Sequence, residues 1–266
     1  MLAAERQAAI LDRLDRHPAV RVSDLALNLG VSEMTVRRDI DSLDARGVLV
    51  RVHGGAVRPG SLSSVEPGFE ANRTRSSAAK QRIAETAVSL LVPGMTVSVT
   101  GGTTTYALAP LLSAVPGLTV ITNSMPLANE LHRLQATAHH GSAPEVLLSG
   151  GQLTPSQALV GPLATRTISS LRADLCFMGA HGVDAAAGVT TPNLAEAETN
   201  TAFAGNCGQL VLLADATKIG VVSLARVVPL GAAAALVTDQ APNAEYSGLT
   251  RILLEPVTDP QREERP

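Results

Sequence analysis

A short loop of glycine and hydroxyl residues has the chemistry of a phosphate-binding site. It comprises Gly101, Gly102, Thr103, Thr104 and Thr105. The apolar run before it, which ends at Thr100, predicts a strand that leads through this loop into a helix. Glycine lets the backbone approach a ligand closely, and backbone N–H groups and hydroxyls donate hydrogen bonds to an anion. We favour this interpretation over an ordinary glycine turn with a threonine cap, and the sequence has no Walker A or GxGxxG motif that would indicate ATP or a dinucleotide.

Polar turns follow several other predicted strands. They are Thr122-Asn123-Ser124, Ser149-Gly150-Gly151-Gln152, Gly179 to Asp184 and Asp215-Ala216-Thr217-Lys218. In an open α/β sheet, ligands bind beyond the carboxyl ends of the strands. Asn123 and Lys218 would then offer hydrogen bonds and positive charge to a sugar phosphate, although a plain turn and a solvated lysine are the alternatives. Glu196 follows Asn193 by three residues, and a capping box explains it without a ligand.

The two lysines are unusual for this chain. Of its 21 basic residues, only Lys80 and Lys218 are lysines. Because every other basic residue is arginine, these two positions are candidates for a specific role.

A second candidate site is a helix that presents arginines. Val36, Ile40 and Leu43 recur at i, i+4 and i+7, which predicts a helix with one buried apolar stripe. Ser32 precedes the run and is a favourable helix cap. The face left outside carries Thr35, Arg37 and Arg38.

The elements around that helix predict a winged helix-turn-helix, a DNA-binding arrangement. Residues 2–16 form a first helix, and a short helix over 24–29 reaches the arginine helix through a turn at Gly30. The run 48–57 predicts a small hairpin, the wing. Its basic residues are placed to contact phosphates or the minor groove: Arg51, His53 and Arg58. The alternatives are an ordinary surface helix, since charges usually solvate a face, and a protein-interaction module.

After residue 58 the pattern changes to a linker and then to an α/β domain. Residues 59–68 are rich in Pro, Gly and Ser, which is typical of an interdomain linker. The predicted strands are Thr96–Thr100, Leu118–Thr122, Glu145–Ser149, Asp174–Met178, Gln209–Ala214, Ala235–Thr238 and Arg251–Leu254. The predicted helices cover 78–91, 104–113, 125–135, 160–171, 194–205 and 220–227. This alternation predicts a mainly parallel sheet in a domain over 69–258, between an N-terminal domain at 1–58 and a loose tail at 259–266.

Composition narrows the class of protein. Apolar residues make up 45% of the chain and aromatic residues only 2%, so Ala, Val and Leu must fill the core. No apolar run reaches about 18 residues and no secretory signal is evident, so we expect a cytoplasmic protein with no membrane contact. Cys176 and Cys207 are expected to be buried thiols. The net charge is −3 and residues 1–60 are only marginally basic, so we expect modest non-specific attraction to DNA.

The N-terminal residues resemble a known family over positions 5 to 58. The matching residues are Val31-Ser32, Thr35-Val36-Arg37-Arg38-Asp39-Ile40 and Arg51-Val52-His53-Gly54-Gly55-Ala56. Their order is similar to the N-terminal signature of the DeoR family of bacterial transcriptional regulators. The resemblance implies a double-stranded DNA operator, contacted by Ser32, Thr35, Arg37 and Arg38 of the helix and by the wing. Because helix-turn-helix readers usually bind as dimers, we expect a homodimer or a higher homo-oligomer.

Further motifs extend this resemblance along almost the whole chain. They are Phe69 with Arg73, Lys80 with Ile83-Ala84, Gly102 to Thr105, Thr122-Asn123-Ser124, Gly150-Gly151, Gly161 and Asp215 to Lys218. They resemble the DeoR-family sensor domain, which is similar to sugar-phosphate isomerases such as ribose-5-phosphate isomerase. The resemblance implies that Lys80 and the 101–105 loop receive a phosphate, with Asn123 and Lys218 nearby.

A sugar-phosphate isomerase with a DNA-binding appendage is the rival hypothesis. Isomerisation through an enediol needs a carboxylate base held against the carbon acid. The turn that matches the isomerase acids, Gly179-Ala180-His181-Gly182, has no carboxylate before Asp184. We therefore expect this site to bind a phosphorylated sugar without turnover, with no catalytic residue, metal or cofactor. Together with the DNA-binding elements, the family resemblance implies a repressor of a carbohydrate-metabolism operon.

Overall fold

The N-terminal part of the chain forms the predicted winged helix-turn-helix. The structure, a computed structural model, describes residues 2–16, 19–52, 55–57, 68–137 and 144–254. The N-terminal elements are α1 (Ala3–Arg16), β1 (Ala19–Arg21), α2 (Val22–Leu29), α3 (Glu33–Ala45), β2 (Val50–Val52) and β3 (Gly55–Val57). The strands form an antiparallel sheet in the order β1-β3-β2. Strand β1, which the sequence pattern did not indicate, therefore completes the wing.

Helix α3 forms where the sequence predicts it and for the predicted reason. Ser32 is its N-cap, and the Ser32 Oγ accepts a hydrogen bond from the N–H of Thr35 at 3.2 Å. Val36, Ile40 and Leu43 are buried in one core with residues of α1 and α2. Burying each of these side chains is worth about 1.5–3 kcal/mol, so the opposite face of α3 is fixed toward solvent.

The C-terminal part contains the predicted alternation of helices and strands. Its helices are α4 (Phe69–Arg73), α5 (Ser77–Val88), α6 (Thr103–Tyr106), α7 (Ala109–Leu112), α8 (Met125–Thr137), α9 (Pro162–Ser169), α10 (Leu194–Gly205) and α11 (Ala244–Ser247). Its strands are β4 (Thr96–Val99), β5 (Thr119–Thr122), β6 (Glu145–Leu148), β7 (Gln152–Leu153), β8 (Leu159–Val160), β9 (Ala173–Gly179), β10 (Gly182–Asp184), β11 (Gly188–Thr191), β12 (Cys207–Leu213), β13 (Ala225–Val228), β14 (Ala235–Val237) and β15 (Arg251–Leu253). Short 3-10 helices cover Ala216–Lys218 and Leu230–Ala232.

The described residues between 68 and 254 build one seven-stranded parallel sheet, in the order β15-β14-β12-β9-β4-β5-β6. All seven predicted strands lie in it. One face packs against α5, α7 and α8, and the other against α9, α10 and α11. In β9, Leu175 and Phe177 belong to the first core, while Cys176 and Met178 belong to the second. Both faces are covered, as near-continuous apolar strands predict, except at the edge strand β6, where Leu147 and Leu148 are exposed.

Two of the helix predictions are wrong. Residues 220–227 do not form a helix, because Val227 and Val228 are buried in β13, which pairs antiparallel with β11. Short apolar runs do not distinguish a helix from a strand, and β-branched side chains pack well on a sheet. The helix predicted over 104–113 is divided into α6 and α7, because Pro110 lacks the N–H that would continue the hydrogen bonding. Residues 59–67 of the predicted linker and the predicted tail lie outside the described residues.

The cysteines are free, as the composition predicts. Cys176 is buried and Cys207 is partly buried. None of the described helices has both the length and the apolar composition needed to cross a membrane.

Candidate functional site

A cavity of about 820 Å³, counting its open mouth, lies beyond the carboxyl ends of the parallel strands. Its wall includes the residues that follow β4, β9 and β12, which is the edge where the sequence predicts a ligand. Most of the predicted effector-binding residues line it: Lys80, Gly101, Gly102, Thr103, Thr104 and Lys218. The wall, as far as the described residues define it, leaves out the others: Thr105, Asn123, Gly150 and Gly151.

Asn123 and Thr105 hold the glycine-threonine loop in place and do not line the cavity. The Asn123 side-chain oxygen accepts from the N–H of Gly101 at 2.8 Å, and its nitrogen donates to a carbonyl of β8 at 2.9 Å. The Thr105 hydroxyl donates to the carbonyls of Thr100 at 2.7 Å and Gly102 at 2.9 Å. Both side chains are buried. The sequence therefore predicts the loop that lines the cavity, but Asn123 and Thr105 stabilise the conformation of this loop and do not face the cavity.

Gly101 and Gly151 lie where a larger residue would not fit. A Cβ at Gly101 would lie 2.5 Å from the Cβ of Ala158. A Cβ at Gly151, where φ is +128, would lie 2.6 Å from the carbonyl oxygen of Val160. Gly101 therefore permits the close packing behind the loop. Gly151, with Gly150 at φ +71, forms a neighbouring turn outside the cavity wall.

Three basic side chains from two segments line the cavity: Arg75 and Lys80, near the start of α5, and Lys218, which follows β12. Lys80, in α5, is only 6% exposed, and its Nζ donates to the carbonyls of Asn72 and, at 2.6 Å, Arg75. Burial lowers the pKa of Lys80 to about 8, although the carboxylate of Asp215 acts in the opposite direction. Burial also lowers the pKa of Lys218. An added anion would stabilise these desolvated cations, so the cavity is suited to a phosphate.

Another part of the wall carries a carboxylate. Glu196 accepts hydrogen bonds from the hydroxyls of Ser156 at 2.5 Å and Thr191 at 3.0 Å. Asn193 caps α10, as predicted, by accepting from the N–H groups of residues 195 and 196. Glu196 also lines the cavity, together with Asn200 one turn later. Carboxylate and amide groups are suited to hydrogen bonds with sugar hydroxyls.

Sequence reasoning missed Arg75 and the cavity role of Glu196. Arg75 lies in the turn between α4 and α5, where no periodic pattern marks it. The i, i+4 spacing of Glu196 and Asn200 was a usable signal, because it places both on one face of a helix that begins near the strand ends. His181 also lines the cavity, and its turn contributes no carboxylate. Within the described ranges, no three His, Cys, Asp or Glu side chains are placed to hold a metal ion.

The face of α3 opposite its apolar stripe is accessible. The predicted DNA-binding residues on it are Ser32, Arg37 and Arg38, which are exposed, and Thr35, which is partly exposed. Arg37 forms an i, i+4 ion pair with Glu33 at 2.9 Å, and both side chains are about half exposed. Such a pair is weak, so the guanidinium can exchange it for a phosphate or a base. Asp39, which is buried, pairs with Arg6 at 2.7 Å and fixes α3 against α1.

The wing is described only in part. Arg51 in β2 is exposed and pairs with Asp41 of α3. His53 and Arg58, the other predicted wing contacts, lie outside the described residues.

Family models match both parts of the chain. A model of the DeoR-like helix-turn-helix domain matches residues 6–61, and a model of the DeoR C-terminal sensor domain matches residues 75–240. A likeness of the fold to ribose 5-phosphate isomerase A of Methanocaldococcus jannaschii covers 54% of each chain at 15% identity, with a TM-score of 0.38. At that level the likeness carries no argument about activity.

Relatives in sequence are named transcriptional regulators. The HTH-type transcriptional regulator GolR of Listeria innocua is 34% identical over 242 residues, which cover 90% of this chain and 91% of the relative. The lactose phosphotransferase system repressor of Staphylococcus aureus is 34% identical over 217 residues, which cover 81% and 84%. These relatives place the chain among regulators and not among isomerases. The chain belongs to the DeoR family of transcriptional regulators.

Proposed function

We propose that this regulator represses a carbohydrate-metabolism operon and responds to a phosphorylated sugar in the cavity. The observation that supports it most is the convergence of Arg75, Lys80 and Lys218 beside the glycine-threonine loop. A phosphate ester carries about −1.5 to −2 charges at pH 7 and three acceptor oxygens, which matches clustered cations and hydroxyls. The name of the lactose phosphotransferase system repressor agrees with a signal from sugar metabolism.

The ligand would lie across the cavity with its two ends in different surroundings. Its phosphate would lie among the basic side chains and the residues Gly101 to Thr104, and its hydroxyls would face Glu196 and Asn200. Thr105 and Asn123 would act through the loop that they hold, and Gly150 and Gly151 through the turn that they form. The ligand would be bound and released unchanged.

The DNA operator would be read by α3 and the wing. Ser32, Thr35, Arg37 and Arg38 would face the major groove, while Arg51, with His53 and Arg58, would contact phosphates or the minor groove. A homodimer or higher homo-oligomer would place two such helices on half-sites about one helical turn apart. The protein would act in the cytoplasm, where the operator is.

Fluorescence anisotropy with a labelled duplex tests this function. The duplex carries the DNA upstream of the protein's own operon, and a shuffled duplex is the control. Pentose 5-phosphates, hexose 6-phosphates and hexosamine 6-phosphates are added one at a time. We expect preference for the upstream duplex and a change in its affinity of about 5-fold or more with at least one sugar phosphate. Equal binding to both duplexes would contradict the DNA role, and no response to any sugar phosphate would contradict the sensor role.

A further inference from the structure

One arginine of the cavity also contacts the DNA-binding domain. Nη2 of Arg75 donates to both carboxylate oxygens of Asp44, at 2.6 and 2.7 Å. Asp44 lies in the last turn of α3, and Arg75 lines the cavity. The exposed fractions of the two side chains are 32% for Arg75 and 18% for Asp44. The ion pair is therefore partly withdrawn from water, and it joins the two parts of the chain.

Asp44 is also bonded to the wing. Its Oδ1 accepts a hydrogen bond from the N–H of Arg51 at 3.0 Å, and Arg51 is the middle residue of β2. The carbonyl of Asp44 accepts from the N–H of Gly47 at 2.9 Å, in the turn that leads from α3 toward β2. One carboxylate thus connects the helix proposed to read DNA, the wing and a cavity arginine.

A second residue of the cavity also contacts Arg75. The Nζ of Lys80 donates to the carbonyl of Arg75 at 2.6 Å, so a cavity lysine holds the main chain of the same residue. Both the cavity lysine and the Asp44 carboxylate therefore hold Arg75, one through its main chain and the other through its guanidinium.

We propose that a phosphate in the cavity competes with Asp44 for Arg75 and so releases the link from the sensor to α3 and the wing. A phosphate carries up to two negative charges, so it attracts a guanidinium more strongly than one carboxylate does. Arginine can bind either group in a bidentate arrangement. Thermodynamic linkage makes the effect reciprocal: if phosphate weakens the ion pair between Arg75 and Asp44, the ion pair must lower the affinity for phosphate by the same factor. The proposal rests on the proposed function and adds the route by which the sensor acts on the DNA-binding domain.

A double-mutant cycle on the full chain tests the competition. Calorimetric titration with inorganic phosphate is run on the native chain and on Asp44→Asn, Arg75→Gln and the double variant. Because Asp44→Asn frees Arg75, it should tighten phosphate binding about two- to fivefold, the range expected for a partly exposed ion pair. In the Arg75→Gln background, the same substitution should have no effect. Asp41→Asn is the matched control, since it removes the same charge from α3 at a carboxylate paired with Arg51.

The outcomes separate competition from simple charge removal. If Asp44→Asn tightens phosphate binding equally with and without Arg75, or if Asp41→Asn acts as strongly, the competition is wrong. The proposed function would then stand, provided that Lys218→Gln still weakens phosphate binding. If phosphate does not bind the native chain at all, the competition is wrong, whereas the proposed function is decided separately by the titration with sugar phosphates.

Hydrogen exchange on the native chain gives a second test that needs no substitution. Phosphate should speed amide exchange in peptides covering residues 44–52 relative to chloride at equal ionic strength. Peptides covering residues 6–14 of α1 serve as the internal control and should not change. Unchanged exchange over 44–52 at saturating phosphate would overturn the release of the link.

Discussion

The DNA-facing helix and the sensor cavity both present basic side chains, but they hold them in opposite ways. Arg37 on α3 is about half exposed and pairs only weakly with a neighbour on its own helix. Lys80 is 6% exposed and is bonded to two main-chain carbonyls. Exposed charged side chains are mobile, and salt screens their interactions strongly. Buried charges are fixed in advance for one anion, at the cost of desolvation. A surface that samples many DNA sites suits the first arrangement, and a cavity for one metabolite suits the second.

The largest effect is expected from removing the arginines of α3, which should weaken DNA binding and leave ligand binding unchanged. Arg37→Ala combined with Arg38→Ala should weaken operator binding by about 1–3 kcal/mol for each arginine that contacts a base. Calorimetry should show unchanged phosphate binding in the cavity. The control is Arg251→Ala, an exposed arginine on β15. If the double variant binds the operator like the native chain in an anisotropy titration, α3 is not the reading helix.

The substitution Lys218→Gln should have the opposite effect, weakening ligand binding and leaving DNA binding unchanged. Loss of a charge-assisted hydrogen bond should weaken sugar-phosphate binding by about 1.5–3 kcal/mol, measured by calorimetry. Operator affinity without ligand should not change. Arg166→Gln, which removes an exposed charge on α9 outside the cavity wall, is the control. Equal ligand affinity in the native chain and Lys218→Gln would remove Lys218 from the site.

The pH dependence should also differ between the two regions. Because the pKa of Lys80 is about 8, this side chain loses its charge as the pH rises through that value in the ligand-free chain. Phosphate affinity should then fall by up to about tenfold per pH unit above pH 8. Operator affinity without ligand should stay flat to about pH 9.5, because arginine remains charged. Calorimetry and anisotropy at pH 7 to 9.5 check both, and a phosphate affinity that does not fall would contradict the role of Lys80.

The smallest effect is expected within the cavity itself. Glu196→Gln keeps hydrogen bonding but removes the charge, so it should change affinity for sugar phosphates by about 0.5–1.5 kcal/mol. It should change the ranking of the different sugars, while inorganic phosphate binds at least as well as before. Glu198→Gln, at an exposed position on the same helix, is the control. An unchanged ranking would show that Glu196 does not contact the sugar.

Much of the framework was predictable because local patterns determine it. The apolar stripe of Val36, Ile40 and Leu43 has a single helical solution, and Ser32 marks where the helix begins. Most strands of the parallel sheet are near-continuous apolar runs because both of their faces are buried, and the exposed edge strand β6 is the exception. Since carboxyl ends of parallel strands share an edge, the place of the cavity followed as well.

The parts that were not predictable depend on long-range contacts. Arg75 belongs to the cavity only because α5 brings its turn beside the strand ends, and its bond to Asp44 spans 31 residues. Asn123 is an apparent ligand residue that the fold uses to hold Gly101. Strand β13 forms because β11 is there to pair with it, which the short segment Ala225–Val228 does not reveal by itself.

The most direct test measures operator affinity with and without a sugar phosphate, at a concentration that saturates the cavity of the native chain but not that of Lys218→Gln. Anisotropy titrations compare the native chain with Lys218→Gln, using the same duplex and ionic strength. Sensing through the cavity predicts a change of about 5-fold or more in the native chain and almost none in the variant. An operator affinity that stays the same while ligand is bound, or that shifts equally in both chains, would contradict it.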